Sequence, residues 1–369
     1  MPLILIGIAV LLVIQLQNYC YRRLWDKGLG FRVLFSQKEA FEGDELQIRM
    51  ELSNRKFLPL PWIHVKAELA REFTQSDIDF QDRDSFVQKA GMFTSIMMFS
   101  MLRRRTYYTC KKRGVFRLNK AGITVSNLLH TEDFTKSIKL DSQVLVFPKT
   151  LDDYKAIDLL YKIVDSVVLS KSLIDPDPFE FKGIRDYQPT DPLKNINFKA
   201  SAISQKLMVN IHAPTTAYKL TIVLNIDGSH YNPHWDLYEQ SIRLAATLAK
   251  HYIELNANLG FVTNGRDVTS GEELIVRGGN SGKHMYHIYE VLARIDLRIK
   301  PVAMSDFADG ITDRERFFLF ISPYYSDEFM ESFHALKTRQ ISAHLIIPYF
   351  SRPSIGAGAN VTLWDAMPM

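Results

Sequence analysis

The chain has few cysteines and almost no excess of charge. Its 369 residues include only two cysteines, Cys20 and Cys110. Two thiols in a chain of this length do not build a disulfide framework, so we expect both to be unpaired in a reducing compartment. The 45 basic and 41 acidic residues leave a net charge of +4. This excess is too small to indicate nucleic-acid binding, and we predict no nucleic-acid partner.

Motifs of catalysis are also missing from the sequence. No Gly-x-Ser-x-Gly nucleophile elbow occurs, and neither cysteine lies in a catalytic or metal-binding motif. Internal repeats and low-complexity segments are absent as well. The sequence therefore predicts a binding or scaffold protein and not an enzyme.

One long hydrophobic run is present at the start, over Pro2–Leu16. Extended to Tyr21 it reaches about 20 residues, roughly the length that crosses a 30 Å hydrocarbon core. Arg22 and Arg23 follow at once, so the positive-inside rule places the rest of the chain in the cytoplasm. We predict that residues 1–25 are a single-pass transmembrane anchor in the cell membrane, which would make the membrane a partner.

Two alternatives to the anchor remain open. A cleaved signal peptide ranks second, because the run has neither a charged segment before it nor a small-residue cleavage site after it. A hairpin of two membrane helices, with the first one missing, ranks third.

Residues 29–150 predict a β-sandwich-like domain. Leu46–Leu52 alternates apolar and polar residues, which is typical of a half-buried strand. Further short strand-like stretches follow, separated by turn residues. The basic clusters Arg103–Arg105 and Lys111–Arg113 indicate a solvated strand face, and contact with anionic lipid is the alternative.

The second half of the chain changes pattern. Residues 151–216 predict a linker helix over Asp152–Ile174 and a charged box that is described below, with a break at the Asp-Pro repeat of residues 175–178. Residues 217–369 alternate strands and helices, which predicts a mostly parallel sheet of Rossmann type. The predicted fold class is α+β multidomain: an N-terminal transmembrane helix, a β-sandwich-like domain and an α/β domain.

The first strand of the α/β region ends in a candidate ligand site. Ligands of such sheets bind beyond the carboxyl ends of the strands, and here the sequence reads Asp-Gly-Ser-His-Tyr over residues 227–231. This segment resembles the metal-ion-dependent adhesion site of von Willebrand factor A domains, Asp-x-Ser-x-Ser. Asp227 and Ser229 match its first two ligands, and Tyr231 replaces the third. The resemblance implies a von Willebrand factor A-like domain over 217–369.

The resemblance is incomplete at a second loop. The strand Phe317–Ile321 is followed by Ser322-Pro323-Tyr324, where that family has an acidic residue. We therefore expect a degenerate adhesion site, at which Asp227 and Ser229 are candidate ligands for Mg²⁺. The alternative is an aspartate that caps a helix or holds a loop.

A different function would use the same strand end. Asp227, His230, His234 and Asp236 carry side chains that bind metals, so a metal-dependent hydrolase or a ligand sensor is the alternative to a scaffold. Pro233 prevents a zinc-type helix there.

A second resemblance lies upstream, over Phe179–Ala202. The segment is similar to the signature box of a bacterial family called domain of unknown function 58. The residues that agree in kind are Arg185, Tyr187, Asp191, Lys194, Ile196, Asn197, Lys199 and Ala202. The departures are Asp186, Thr190, Phe198 and Ile203.

This resemblance covers nearly the whole chain and includes the basic turn at Lys112–Phe116. The family has no established reaction. Its members have a membrane segment, a β domain and a von Willebrand-like half, and commonly sit in operons with AAA+ ATPases of the MoxR type. The resemblance thus implies a scaffold that works with such an ATPase in protein assembly or envelope maintenance.

The charged residues of the box have two interpretations. Arg185, Lys194 and Lys199 beside Asp186 and Asp191 could form a polar recognition surface for a peptide or a partner protein. They could equally form a hydrogen-bonded brace between elements, since such networks specify geometry without chemistry.

Overall fold

The protein is described here by a computed structural model. The structure describes residues 2–70, 73–75, 87–151, 161, 176–189, 191–214, 219–229, 235–352 and 360–366. The chain divides into two compact units, Met1–Lys149 and Thr150–Met369. The predicted helix over Asp152–Ile174 falls outside the described residues except for Tyr161, whose ring stacks on His251 with centroids 3.8 Å apart.

The described residues of the first unit form one helix and nine strands. The helix is α1 (Pro2–Leu24). The strands are β1 (Leu29–Phe35), β2 (Glu39–Phe41), β3 (Glu45–Asn54), β4 (Leu60–Ala70), β5 (Phe73–Gln75), β6 (Val87–Ile96), β7 (Ser100–Cys110), β8 (Gly114–Ser126) and β9 (Asp133–Phe147). They form two sheets, with orders β1-β3-β7-β5 and β2-β9-β8-β4-β6.

The two sheets share one hydrophobic core, as in a sandwich. Along β3 every second residue is buried, so that Leu46, Ile48 and Leu52 have no exposed surface. They belong to the same cluster as Ile63 of β4 and Ile123 of β8. The period of two in the sequence places these apolar side chains on one face, and their burial stabilises the unit.

The helix α1 departs from its predicted role. Among the described residues, no helix combines the length and the apolar character needed to cross a bilayer. The predicted single-pass anchor over residues 1–25, and with it the cell-membrane localisation and the cytoplasmic body, is wrong on this finding.

The reason lies at the carboxyl end of the helix. The prediction reached 20 residues by counting polar residues beyond Leu16, and these contact the sandwich. Tyr21 is 3% exposed and donates to the carbonyl of Pro59 at 2.7 Å. Asn18 accepts from Asn127 at 2.8 Å, and Arg22 pairs with Glu132.

In the part of the second unit that the structure describes, the strands form a two-stranded sheet and a seven-stranded sheet. The strands are β10 (Pro176–Asp186), β11 (Met208–Pro214), β12 (Lys219–Leu224), β13 (Asn258–Asp267), β14 (Glu273–Gly279), β15 (Ile295–Asp296), β16 (Phe317–Ile321), β17 (Ala343–Tyr349) and β18 (Val361–Asp365). The helices are α2 (Phe198–Ser204), α3 (Trp235–Glu254), α4 (Gly282–Arg294), α5 (Met304–Asp309) and α6 (Asp327–Thr338), with a 3-10 turn at Leu193–Asn195.

The larger sheet is mixed. Its order is β14-β13-β12-β16-β17-β18, and β15 pairs with β13. The strands β13, β12, β16, β17 and β18 pair in parallel, whereas β14 and β15 are antiparallel to β13. Leu220 and Ile222 pack on one face with residues of α3, and Val223 packs on the other face with residues of α6. Both faces are buried, because parallel strands need cover on each side.

The predicted fold class requires correction. More of the described residues lie in strands than in helices, and the predicted transmembrane helix is not found. The Rossmann-type, von Willebrand factor A-like label is wrong as well. Alternating strands and helices predict a layered sheet but not its family, and the rim of oxygen ligands that distinguishes that family is not formed around Asp227, as described below.

Candidate functional site

A buried polar network lies at the carboxyl ends of β12, β13 and β16. Asn225 follows β12 and is fully buried. Its Nδ2 donates to the hydroxyl of Ser322, beyond β16, at 2.9 Å. Its Oδ1 accepts from the backbone N–H of Asp227 at 2.8 Å and from Nδ2 of Asn264, in β13, at 3.0 Å. Neighbouring parallel strands end at the same edge, so these polar side chains converge.

Asn264 connects the network to two loops. Its Oδ1 accepts from the backbone N–H of Ile226 at 2.9 Å. Its Nδ2 lies 2.8 Å from the carbonyl of Val302 and 2.9 Å from Oδ1 of Asp227. The amide therefore holds the turn after β12 against the segment that precedes α5.

Asp227 uses its carboxylate within this network. Oδ1 accepts from Asn264, and Oδ2 accepts from the backbone N–H of Met304 at 2.9 Å. Met304 is the first residue of α5, and Ala303 at the N-cap provides no side-chain hydrogen bond. Asp227 thus caps a helix that is distant in the sequence, where a negative charge is favoured.

Ser229 is turned into the protein. Its side chain is fully buried, and its hydroxyl donates to the carbonyl of Leu297 at 2.9 Å. Its own carbonyl accepts from Nε1 of Trp235 at 2.9 Å. The hydroxyl holds the loop after β15 and is not presented to solvent.

These positions do not fit the predicted Mg²⁺ site. An octahedral ion needs several oxygen ligands directed at one point. Asp227 instead accepts from the side chain of Asn264 and the backbone of Met304, and Ser229 donates to the carbonyl of Leu297. Among the described residues, no group of three His, Cys, Asp or Glu side chains is arranged to hold a metal. Tyr231, His230 and His234 lie outside the described residues. The geometry fits the alternative stated from the sequence, an aspartate that caps a helix and holds a loop.

Sequence reasoning overlooked the amides of this network. Asn225 and Asn264 have no metal-binding motif around them, and each follows or ends a run of apolar strand residues. A buried amide at a strand end is a signal in itself, because a buried polar group must find partners.

Residues 183–210, which include most of the charged box, fold into a small module, which we call the box module. The antiparallel pair β10–β11 aligns Arg185 with Val209 and Asp186 with Met208. Between these strands lie the 3-10 turn and α2. The backbone N–H of Tyr187 donates to the carbonyl of Leu207 at 2.8 Å, which closes the base of the module.

Arg185 and Asp191 form a two-pronged ion pair. Nη1 and Nη2 of Arg185 each donate to one carboxylate oxygen at 2.6 Å. Asp191 also accepts from the backbone N–H of Gln188 at 2.8 Å. These hydrogen bonds, the one from Arg185 first, lower the pKa of Asp191, and the same pair raises the pKa of Arg185. The side chains therefore hold the turn after β10.

Asn197 begins the helix α2. Its Oδ1 accepts from the N–H of Ala200 at 2.9 Å, and its Nδ2 donates to Asn210 of β11 at 2.7 Å. Ser201, one turn later, accepts from the N–H of Met208 at 2.8 Å. An N-cap of this kind defines where a short helix begins, and here it also attaches the helix to β11.

The remaining box residues face solvent. Lys194 and Lys199 are exposed, and Tyr187 is half-buried. Several large apolar side chains of the module are exposed too, including Leu193 at 70%, Phe198 at 75% and Ile203 at 79%. Two of these, Phe198 and Ile203, are positions at which the sequence departs from the family box.

Comparison with known proteins gives no family. No family model matches the chain, and no curated protein matches it. Among solved structures, a non-cellulosomal cohesin from Archaeoglobus fulgidus is 13% identical, with a TM-score of 0.22, over 34% of this chain and 95% of that one. A CARDB domain from Pyrococcus furiosus is 10% identical, with a TM-score of 0.19, over 31% and 90%.

A human PapD-like domain is 13% identical, with a TM-score of 0.21, over 32% of this chain and 86% of that one. Similarity at this level carries no argument about function.

Proposed function

We propose that the chain is a non-enzymatic binding protein and that its box module is the surface that recognises a protein partner. The resemblance of the box to the domain of unknown function 58 family identifies the proposed partner as an AAA+ ATPase of the MoxR type. The proposal combines the two interpretations of the box. Arg185, Asp191 and Asn197 brace the module, and the residues that they position contact the partner.

The exposure of the apolar residues of α2 and the preceding turn carries this proposal. Phe198 and Ile203 are more than two thirds exposed although they lie on a helix whose start is held by the Asn197 cap. Exposed apolar side chains in a group indicate an interaction site, and an aromatic anchor often supplies much of the binding energy.

The charges of the module indicate what the partner presents. Lys194 and Lys199 are exposed beside the apolar residues. A partner surface that fits them has an apolar pocket with carboxylates at its rim. The rim charges would raise the association rate, and the apolar anchors would govern dissociation.

The strand-end network supports a role without chemistry. A catalytic aspartate needs an oxygen that can reach a substrate or a proton. Both carboxylate oxygens of Asp227 accept hydrogen bonds from inside the unit, from Asn264 and Met304. We therefore assign Asp227 to the scaffold.

The test measures binding of a purified MoxR-type ATPase to the full chain by biolayer interferometry. Phe198→Ser combined with Ile203→Ser removes two exposed apolar groups and should weaken binding by about tenfold or more. The melting temperature should not fall, because neither side chain is buried.

Ile275→Ser is the matched control. Ile275 lies on β14 and is 56% exposed, so its replacement removes an exposed apolar side chain outside the box module. We expect its binding to equal that of the unmodified chain. Equal losses in both variants, or no binding of the ATPase to the unmodified chain, would contradict the proposal.

A further inference from the structure

The outer face of the sheet β1-β3-β7-β5 is rich in arginine. Leu46, Ile48 and Leu52 of β3 point into the core, so the alternate residues of β3 point outwards. The register of β3 with its neighbours β1 and β7 identifies which residues of those two strands also point outwards. We call the resulting surface the arginine face: Arg32, Arg49, Glu51, Arg103 and Arg105.

The register places these side chains in two adjacent rows. In one row Arg32 of β1, Glu51 of β3 and Arg103 of β7 lie side by side. In the next row Arg49 lies directly opposite Arg105. Neighbouring strands are about 4.8 Å apart, and alternate residues along a strand about 6.7 Å apart. Four arginines therefore occupy a small grid of known spacing.

One carboxylate does not balance this charge. Nε of Arg103 contacts Oε1 of Glu51 at 3.2 Å. Within the described residues, Arg49 has no hydrogen-bond partner at its buried Nε. Like charges directly opposite each other on a sheet are destabilising. The repulsion between Arg49 and Arg105 therefore destabilises the sheet locally. An anionic ligand would reduce this repulsion.

A groove of about 260 Å³ adjoins the grid. Arg32, Glu51, Ser53 and Arg55 line it together with two glycines and two apolar residues, Leu29 and Met101. A Cβ atom at Gly30 would lie 2.7 Å from the hydroxyl of Ser53, so a larger residue there would require the Ser53 side chain to move.

We propose that the arginine face binds an extended acidic segment of a partner protein. Side chains on one side of an extended peptide recur about every 6.7 Å, which equals the spacing of the arginines along a strand. Guanidinium groups bind carboxylates in a two-pronged geometry. This site is independent of the box module, because it lies in the first unit and uses different chemistry.

The chemistry of the face favours a peptide over the other anionic ligands. Tyr107 is the one aromatic residue at the outward positions of β1, β3 and β7, and its hydroxyl already accepts from Gln47 at 2.8 Å. Single-stranded nucleic acid is typically held by several stacking rings. The grid extends over two rows and three strands, which exceeds what one phosphate could contact.

The test measures fluorescence anisotropy of a labelled peptide of alternating Glu and Ser, about ten residues long. Binding to the full chain should weaken as salt is raised from about 50 mM to about 300 mM, because exposed charges are screened. Arg49→Gln with Arg105→Gln should weaken it by about tenfold. Arg103→Gln with Arg105→Gln, which changes exposed side chains only, should weaken it similarly if folding is unaffected.

Lys120→Gln with Lys139→Gln is the matched control. These lysines also lie directly opposite each other, on β8 and β9 of the other sheet, so the variant removes the same charge. The lysine variant should bind the Glu/Ser peptide with the same affinity as the unmodified chain. A peptide with Gln in place of Glu should not bind to the unmodified chain. Equal losses in the lysine variant would overturn the proposal. Tighter binding of an oligonucleotide, or full competition by inorganic phosphate at equal charge concentration, would overturn it too.

Discussion

The strand-end network and the box module use polar residues in opposite ways. In the network, Asn225, Asp227 and Ser229 are oriented towards partners inside the unit, and Asn225 and Ser229 have no exposed surface. In the box module, Arg185 and Asp191 bind each other at the surface, and apolar residues such as Phe198 stay exposed. Polar residues at a strand end are therefore not by themselves a ligand site, and a charged box is not by itself a binding surface.

The difference has a thermodynamic consequence. A buried polar group that loses its partner costs the full desolvation of the group that remains. When a surface ion pair is broken, water takes the place of the lost partner, so that little stability is lost. Substitutions in the network should therefore change stability, and substitutions of the exposed residues of the box module should change binding.

The largest effect is expected for Asn264→Ala. The substitution removes an amide that forms hydrogen bonds with Ile226, Asp227 and Val302. It should therefore lower the free energy of unfolding by about 3 kcal/mol. Urea denaturation measures it. Asn280→Ala is the control, because Asn280 is at the surface and bonds only to Asn256 there; about 0.5 kcal/mol or less is expected. Similar losses of unfolding free energy in both variants would mean that the buried network contributes no more to stability than a surface hydrogen bond.

Asp227→Ala should have the next largest effect. It leaves the N–H of Met304 without its cap and removes one acceptor of Asn264, which should cost about 2 kcal/mol. The melting temperature of the unmodified chain should be the same with and without Mg²⁺. If Mg²⁺ raised the melting temperature of the unmodified chain but not that of Asp227→Ala, the metal-site hypothesis would be restored. The contrast drawn between the network and the box module would then no longer hold.

A third prediction concerns a buried histidine of the same sheet. His344 is 1% exposed, and burial lowers its pKa to about 4. In the unfolded chain the imidazole of His344 takes up a proton below its ordinary pKa of about 6.5, whereas in the folded chain the ring stays neutral. Lowering the pH therefore favours unfolding. Between pH 7.5 and pH 5 the unfolding free energy should fall by about 2 kcal/mol.

His344→Leu is the variant that isolates this effect. It removes the hydrogen bond to Thr362, and it should also remove the part of the pH dependence that lies between pH 7 and pH 5. Denaturant titrations at several pH values test this. An unchanged pH dependence in the variant would show that other groups are responsible.

The smallest effect on stability is expected for Asp191→Asn. The folded-state pKa of Asp191 is lowered, so its contribution is present above the unfolded pKa of about 4 and is lost as the pH falls through the folded value. At pH 7 the variant should melt slightly below the unmodified chain, and at pH 3 the difference should shrink. A large loss of folding at pH 7 would mean that the box is mainly a brace.

Part of the fold was predictable from local pattern. The alternation at Leu46–Leu52 predicts β3 and its buried face, because a period of two places every second side chain on one side. The apolar run Lys219–Ile226 predicts the buried strand β12 for a related reason, since parallel strands are covered on both faces. In the box, the charges of Arg185 and Asp191 made a brace predictable.

Other features could not be predicted in this way. The sequence does not show that α1 ends against the sandwich, because the contacts of Asn18 and Tyr21 are with residues far along the chain. It does not show that Asp227 caps α5 either, since Met304 is separated from it by several elements. The family label of the second unit failed for the same reason.

The amino-acid sequence alone determined the periodicity of strands and helices and the chemical character of the box. Those properties depend on neighbouring residues and on the alternation of apolar and polar side chains. Only the tertiary structure decided which polar groups are available to a partner. Hydrogen bonds between distant segments occupy Asp227 and Ser229, while the register of three strands brings the arginines of the first unit together.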